Sequence, residues 1–333
     1  MIVKWHGTAS VEVISKSSRI LFDPFVPLKG SDVNVRLDDF DGFEDIFITH
    51  GHFDHISSLP EIFVRNPSTR IHCTRTPYNT LLSKGIPREN LSEISFDKTE
   101  TIGDISVHII HGKHAVLPKA TPSRLAHIFS SPARGNLPYI IKENRKCLEN
   151  DETVFYLLEA EGKSLSLMGS LNLRDDTNYP TGSDLLILPY NGWEDNYPPA
   201  VRALEQLKPK RTVLDHYDNT FPPITTPLDL SPILNRYPDT LTAMSLDKEE
   251  YVSIPIKSNC LAINKKDRFA VFFCALTIFV LIQPLRKNLC RLHKAGIQNL
   301  PASLQISCRE RFRYPDHREP HHTPNHIHRI HIS

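Results

Sequence analysis

Ile46-Phe47-Ile48-Thr49-His50-Gly51-His52-Phe53-Asp54-His55-Ile56 joins an apolar run to three histidines and a carboxylate packed into six positions. Asp45 to Thr49 reads as a buried strand, with the histidine cluster at its C-terminal end. If the chain leaves that strand as a turn, the four side chains converge on a point instead of alternating across a sheet. Gly51 supplies backbone freedom for such a turn between His50 and His52. Imidazole nitrogens with carboxylate oxygens suit Zn²⁺, Mn²⁺ or Fe²⁺ and need no thiolate. A merely solvated polar run would leave so tight a cluster behind an apolar strand unexplained.

Outward from this stretch, short strands are predicted at Val3 to Trp5, Ala9 to Ile14 and Ile20 to Phe22, the last ended by Asp23-Pro24-Phe25. A short helix follows over residues 58–65, a strand over 70–73 and a helix over 76–84. Further strands are expected at 106–111, 153–159, 165–168, 184–188 and 211–214, with a helix at 200–207. Strands alternate with helices, yet several are consecutive and hairpin-like. That order favours two sheets with outer helices over one doubly wound parallel sheet.

Through Ile48-Thr-His-Gly-His-Phe-Asp-His-Ile56 the sequence resembles the metallo-β-lactamase superfamily and its THxHxDH signature. Trp5-His-Gly-Thr-Ala-Ser10 and Asp23-Pro-Phe25 look like the opening strands of its ascorbate-phosphate-lactonase-like branch. The resemblance runs to about residue 256. It implies an α+β fold, an αββα sandwich with a metal site at one edge of the two sheets. Residues 1–257 would form the hydrolase domain and residues 258–333 a non-homologous C-terminal extension.

By position, the resemblance assigns His50 and His52 to a first metal, and Asp54 and His55 to a second. The remaining ligand of the first site should follow a later strand, and His111 and His114 are the candidates. His114 is preferred, because Gly112 breaks the strand just before it and places it in a loop. His111 is then a strand residue or a partner behind the ligands, and His108 is structural. The last histidine of the second site matches His216 in Thr212-Val-Leu-Asp-His-Tyr217, where Asp215 either orients a ligand or faces solvent. Most relatives carry a bridging aspartate in a turn that here reads Met168-Gly-Ser-Leu-Asn-Leu173, which puts Ser170 in its place. A neutral hydroxyl bridges two cations poorly. One or two ions are therefore expected, with a weaker second site unless Asp175 or Asp176 reaches in.

The chemistry implied is hydrolysis by a metal-activated water, whose pKa falls from 15.7 towards ~7. The target is an ester, lactone, amide or phosphodiester bond of a small, anionic substrate, with Asp54 as the catalytic residue that orients the nucleophile or takes its proton. Lys113, beside His114, either holds an anionic group or is a solvated loop charge. Tyr190 and Trp193 stand in turns suited to the mouth of the site, and Phe221-Pro-Pro-Ile224 makes a rigid turn past His216. Two other readings compete: a non-catalytic metal-binding member of the fold, and a phosphodiesterase acting on nucleic acid.

Charge argues against the nucleic-acid reading. Of 39 Lys+Arg and 38 Asp+Glu, 12 and 4 fall in residues 265–333, which leaves 27 against 34 in the first 264. The front is acidic and offers no basic field to a polyanion. Its cysteines, Cys73, Cys147 and Cys260, form no CxxC pair, and no apolar leader precedes the first strand. A cytoplasmic protein with reduced thiols is the expectation. The apolar run 269–282 spans 14 residues, shorter than the roughly 17 to 25 of a spanning helix. Membrane contact is expected only if this run anchors. Seven of the 17 histidines lie in the last 69 residues, a tail with neither a strand nor a helix period that reads as disordered or aberrant.

Overall fold

Strand residues of this chain alternate between two apolar layers, and that alternation builds the architecture. The computed structural model describes residues 1–119, 121–245 and 249–251. The extension expected over 258–333, with the run 269–282, Cys260 and the His-rich tail, lies outside them. So does the question of anchoring, although no helix among the described residues is long and apolar enough to cross a membrane.

One seven-stranded sheet contains β1 (Ile2–Trp5), β2 (Val11–Ile14), β3 (Arg19–Phe22), β4 (Asp45–Phe47), β5 (Arg70–Cys73) and β6 (Leu91–Glu93) side by side in chain order. The second contains β7 (Lys98–Ile102), β8 (Ile105–His111), β9 (Val154–Ala160), β10 (Lys163–Met168), β11 (Leu185–Pro189), β12 (Thr212–Asp215) and β13 (Leu241–Ala243), again in chain order. A last strand, β14 (Glu249–Tyr251), pairs antiparallel with β1. In each sheet an antiparallel meander changes to parallel pairing, from β3 onward in the first and from β10 onward in the second. The hairpin-like and alternating signals in the sequence are these two halves.

Ile20 and Phe22 of β3 meet Ile109, Tyr156, Leu167 and Ile187 in a core between the sheets. Leu21, between them, points the other way and joins Ile46, Ile48 and Ile71 under a helical layer. That layer is α1 (Phe53–Ile56), α2 (Leu59–Arg65) and α3 (Arg75–Ser83). After β8 the chain makes a long excursion through α4 (Pro122–Ser130) and α5 (Leu137–Asn144), and Ile140 of α5 also packs under the first sheet. On the outer face of the second sheet, Leu186, Leu188 and Leu214 pack against Ala200, Ala203 and Leu204 of α6 (Tyr197–Leu207) and Ile233 of α7 (Ser231–Arg236). These are the four layers of an αββα sandwich, each strand serving two of them through its period of two.

Helix α6 begins at Tyr197, three residues before its apolar face, because Pro198 and Pro199 fit the first turn where an N–H has no partner anyway. Two aromatic side chains of the inter-sheet core have their polar groups paired: Trp5 Nε1 donates to the Thr8 carbonyl at 2.8 Å, and the Tyr156 hydroxyl to the Ile48 carbonyl at 2.7 Å. One residue on, the Val154 N–H donates to the Thr49 carbonyl at 2.8 Å and ties the second sheet to the first where the histidine cluster begins.

Candidate metal centre

The histidine cluster follows the C-terminal end of β4, and the other candidates follow the same ends of neighbouring strands: Asp23 after β3, His114 after β8, Ser170 after β10 and His216 after β12. Ligands gather at such strand ends in sheets with parallel strands, because loops leave there together.

Six side chains form two groups, His50, His52 and His114 in one and Asp54, His55 and His216 in the other. Within each, the three potential donor atoms lie no more than 4.8 Å apart. The first group takes His50 and His52 from the loop after β4, the second takes Asp54 and His55 from α1 directly behind it, and the third member of each follows a strand of the second sheet. The rings of His50 and His52 stand 4.8 and 4.5 Å from that of His114, centre to centre. His114 donates from Nδ1 to the Ala115 carbonyl at 2.8 Å, which leaves Nε2 with a free lone pair. The Thr49 hydroxyl lies 3.0 Å from His50 Nδ1. His50 Nε2 is buried without any hydrogen-bond partner. An orphaned nitrogen in a buried imidazole costs stability unless something else accepts its lone pair, and a divalent cation beside His52 and His114 is the group that fits.

Asp54 supplies the only carboxylate of the six. Its Oδ2 is 3.3 Å from His216 Nε2 and 3.6 Å from His55 Nε2. Burial by itself would raise the Asp54 pKa, but His55 and His216 outweigh it and hold the carboxyl well below the usual carboxylate range. Burial pushes His50 well below its ordinary value and His52 down to about 4, with neighbouring imidazoles adding to both. Both rings are therefore neutral at pH 7, the form that binds a metal. His216 goes the other way, up to about 9, because Asp54 and then Asp215 and Asp218 overcome its burial.

Asp23 completes the cluster from behind. Its carboxylate accepts the Thr49 N–H at 2.8 Å and the Thr49 hydroxyl at 2.5 Å, and its Oδ2 lies 2.8 Å from His55 Nδ1. A carboxylate on Nδ1 fixes the ring and turns Nε2 towards the group. Asp23→Ala is expected to weaken metal affinity by about 10- to 100-fold, read by competition with a chelating dye. Wild-type affinity in that variant would remove Asp23 from this role. In sequence Asp23 marks only a strand end, 32 positions from His55; a buried-type aspartate before a proline was the available signal.

The remaining candidates separate cleanly. His111 closes β8 but turns away: it stacks on Phe96 at 4.0 Å, and its Nε2–H donates to the Asp151 carbonyl at 2.8 Å. His108 pairs with Glu159 and Thr99 on the exposed side of the same strand. Ser170 lies at the cavity, where its hydroxyl accepts the Ala115 N–H at 3.0 Å, and it belongs to neither group. Asp175 does not reach in; its carboxylate is exposed and pairs with Arg202 of α6, while Asp176 pairs with Arg174. Lys113 is half-buried and is not among the residues that line the cavity. Asp215 is fully buried, with its carboxyl pushed up to about 7 by that burial, so it does not face solvent.

Gly51 serves a different purpose from the expected turn. Its φ is not left-handed; instead a Cβ there would stand 2.0 Å from the Leu148 carbonyl oxygen. The loop before β9 presses directly on the metal loop, and only a residue without a side chain fits between.

Residues 18–217 match the beta-lactamase superfamily domain. A UPF0173 metal-dependent hydrolase of Koribacter versatilis is 26% identical over 229 residues, 67% of this chain and 86% of that protein. One from Sulfolobus acidocaldarius is 26% identical over 230 residues, 66% of this chain and 85% of its own length. Among solved structures, Igni18, a metallo hydrolase of Ignicoccus hospitalis, aligns with a TM-score of 0.49 at 17% identity over 75% of this chain and 97% of its own. With 200 of its residues matching that domain and the two-sheet sandwich around them, the chain belongs to the beta-lactamase superfamily.

Proposed function

We propose that this metal-dependent hydrolase cleaves an ester, lactone, amide or phosphodiester bond of a small molecule, in the cavity of about 440 Å³ above the two histidine groups. The observation that carries the reading is the orphaned His50 Nε2, buried beside two further imidazoles and opening onto that cavity. His50, His52 and His114 hold one ion, and Asp54, His55 and His216 hold a second. Zinc suits this set of nitrogens and one carboxylate, with manganese or iron as substitutes. A bound divalent ion supplies Lewis acidity and a water that ionises near neutral pH.

The chain supplies the rest. Asp54, held ionised by His55 and His216, orients the attacking water and accepts its proton. Asp23 and Thr49 fix His55, and the Ala115 carbonyl fixes His114, so the donors are set before substrate arrives. Ser170 gives no bridging charge, so the second ion is the more weakly held. The activity resides in residues 1–257, since the six residues lie between positions 50 and 216. Buried free thiols at Cys73 and Cys147 fit a reducing, cytoplasmic setting.

The test is the full chain, loaded with Zn²⁺ and assayed on esters, lactones, amides and phosphodiesters beside Asp54→Asn. At least a hundredfold loss of kcat in Asp54→Asn is expected, on the order of what a positioned acid–base group contributes. Metal-loaded protein inert on all four classes would overturn the proposal.

A further inference from the structure

Beyond the metal groups, the cavity wall mixes apolar side chains with the polar Asn144, Ser170, Asn191, Asn196, Thr225 and Thr226 and one Arg–Glu pair. Leu117, Ile128, Trp193, Phe221, Ile224 and Leu228 contribute its hydrocarbon and aromatic surface. Trp193 is held rigidly, with Nε1 donating to the Leu171 carbonyl at 2.6 Å and its backbone N–H to Asn196 Oδ1 at 3.0 Å. Such an indole presents a large apolar face at little entropic cost.

Outside the metal groups, the charged side chains among the described lining residues are Arg124 and Glu194. They sit on opposite sides, Arg124 on α4 and Glu194 in the loop after β11, and pair with each other at 3.2 Å. The amide oxygens near them are occupied: Asn191 Oδ1 accepts the Gly192 N–H, and Asn196 Oδ1 accepts that of Trp193. An anionic tail here finds no unpaired cation and faces Glu194, whereas a neutral apolar body displaces water from Ile128 and Trp193. Helix α4 has no buried residue, and Arg124 and Ile128, one turn apart on it, line the cavity. Both partners of the Arg124–Glu194 pair are themselves exposed to solvent.

Resting on the hydrolase reading above, we infer that the substrate is uncharged with an apolar body, a hydrophobic ester, lactone or amide rather than the small anion expected from the sequence.

The test reads binding rather than turnover. Full-length, Zn²⁺-loaded protein is titrated by calorimetry with N-methyl butanamide, hexanamide and octanamide, and with alkyl sulfonates of the same lengths. The expected gain is about fourfold in affinity per added methylene, from ~0.8 kcal/mol per buried CH₂, with each sulfonate at least about tenfold weaker than its amide. Trp193→Ala is expected to reduce the gain to roughly twofold per methylene. Glu194→Gln, which releases Arg124, is expected to narrow the gap between amide and sulfonate. Sulfonates binding as tightly as amides, no dependence on chain length, or an unchanged slope in Trp193→Ala would each overturn the inference. Any of those results leaves the hydrolase reading intact, which instead stands or falls with metal content and turnover.

Discussion

Alanine at both His50 and His52 is expected to strip the first ion from the protein and to lower hydrolysis roughly ten-thousandfold, the equivalent of ~5.5 kcal/mol of lost transition-state stabilisation. Both rings are neutral, and they face His114 with nothing else to accept from His50 Nε2. Removing them leaves one donor of three in that group. Elemental analysis of the variant beside wild type measures the lost equivalent directly. Thermal melts give a second readout: an ion present at about 100 times its Kd stabilises the native state by about 2.7 kcal/mol. For a domain of this size that is a midpoint shift of roughly 5 to 11 °C on adding Zn²⁺ to chelated protein, and the variant is expected to lose most of it. His50 is buried, so its alanine also leaves a hole; His52, half-buried, gives a single variant in which ligand loss is separated from that packing loss. Wild-type metal content in the double variant would exclude these histidines as ligands.

Gly51→Ala is expected to be the most damaging change of a single carbon in the metal loop. The added methyl would sit 2.0 Å from the Leu148 carbonyl oxygen, a backbone atom that cannot rotate aside, and 3.6 Å from Pro77 Cδ. Relief requires moving either the loop before β9 or the loop that carries His50 and His52. The expected loss is at least about 3 kcal/mol, with a fall in melting midpoint of roughly 6 to 12 °C and reduced metal occupancy. Gly135→Ala is the control, since a methyl there meets nothing within 4 Å, and it is expected to stay within ~0.5 kcal/mol of wild type. Equal melting of the two variants would show that the segment around Leu148 yields easily.

The same glycine shows what sequence reading reaches and where it stops. That position 51 needs glycine follows from its place between two clustered histidines. The reason lies 97 positions away in Leu148, which no local pattern reports. Strands with apolar alternation, such as those of Ile20 to Phe22 and Leu185 to Leu188, were legible because they face two apolar layers. Lys98-Thr-Glu-Thr-Ile102 was not, since β7 lies at a sheet edge with mostly exposed side chains. Helix α4 was equally hidden: its apolar residues Leu125, Ile128 and Phe129 fall on one face over less than three turns, and none of them is buried. His50, His52, Asp54 and His55 were visible as one run, whereas choosing His114 over His111 needed the Gly112 break. Asp23 and Arg124 required coordinates: each acts through a partner far along the chain, His55 for one and Glu194 for the other.

Each metal group joins a loop of the first sheet to a strand end of the second, and that makes an ion a cross-link. His52 and His114 are 62 positions apart, and His55 and His216 are 161 apart. Closing loops of that length removes chain entropy from the unfolded ensemble much as a disulfide does, without requiring an oxidising compartment. The six donors meet only after both sheets have docked, so the clasp forms late in folding. Ions bound there would slow unfolding far more than they speed folding, so the same atoms that serve the proposed chemistry would also lengthen the life of the folded chain.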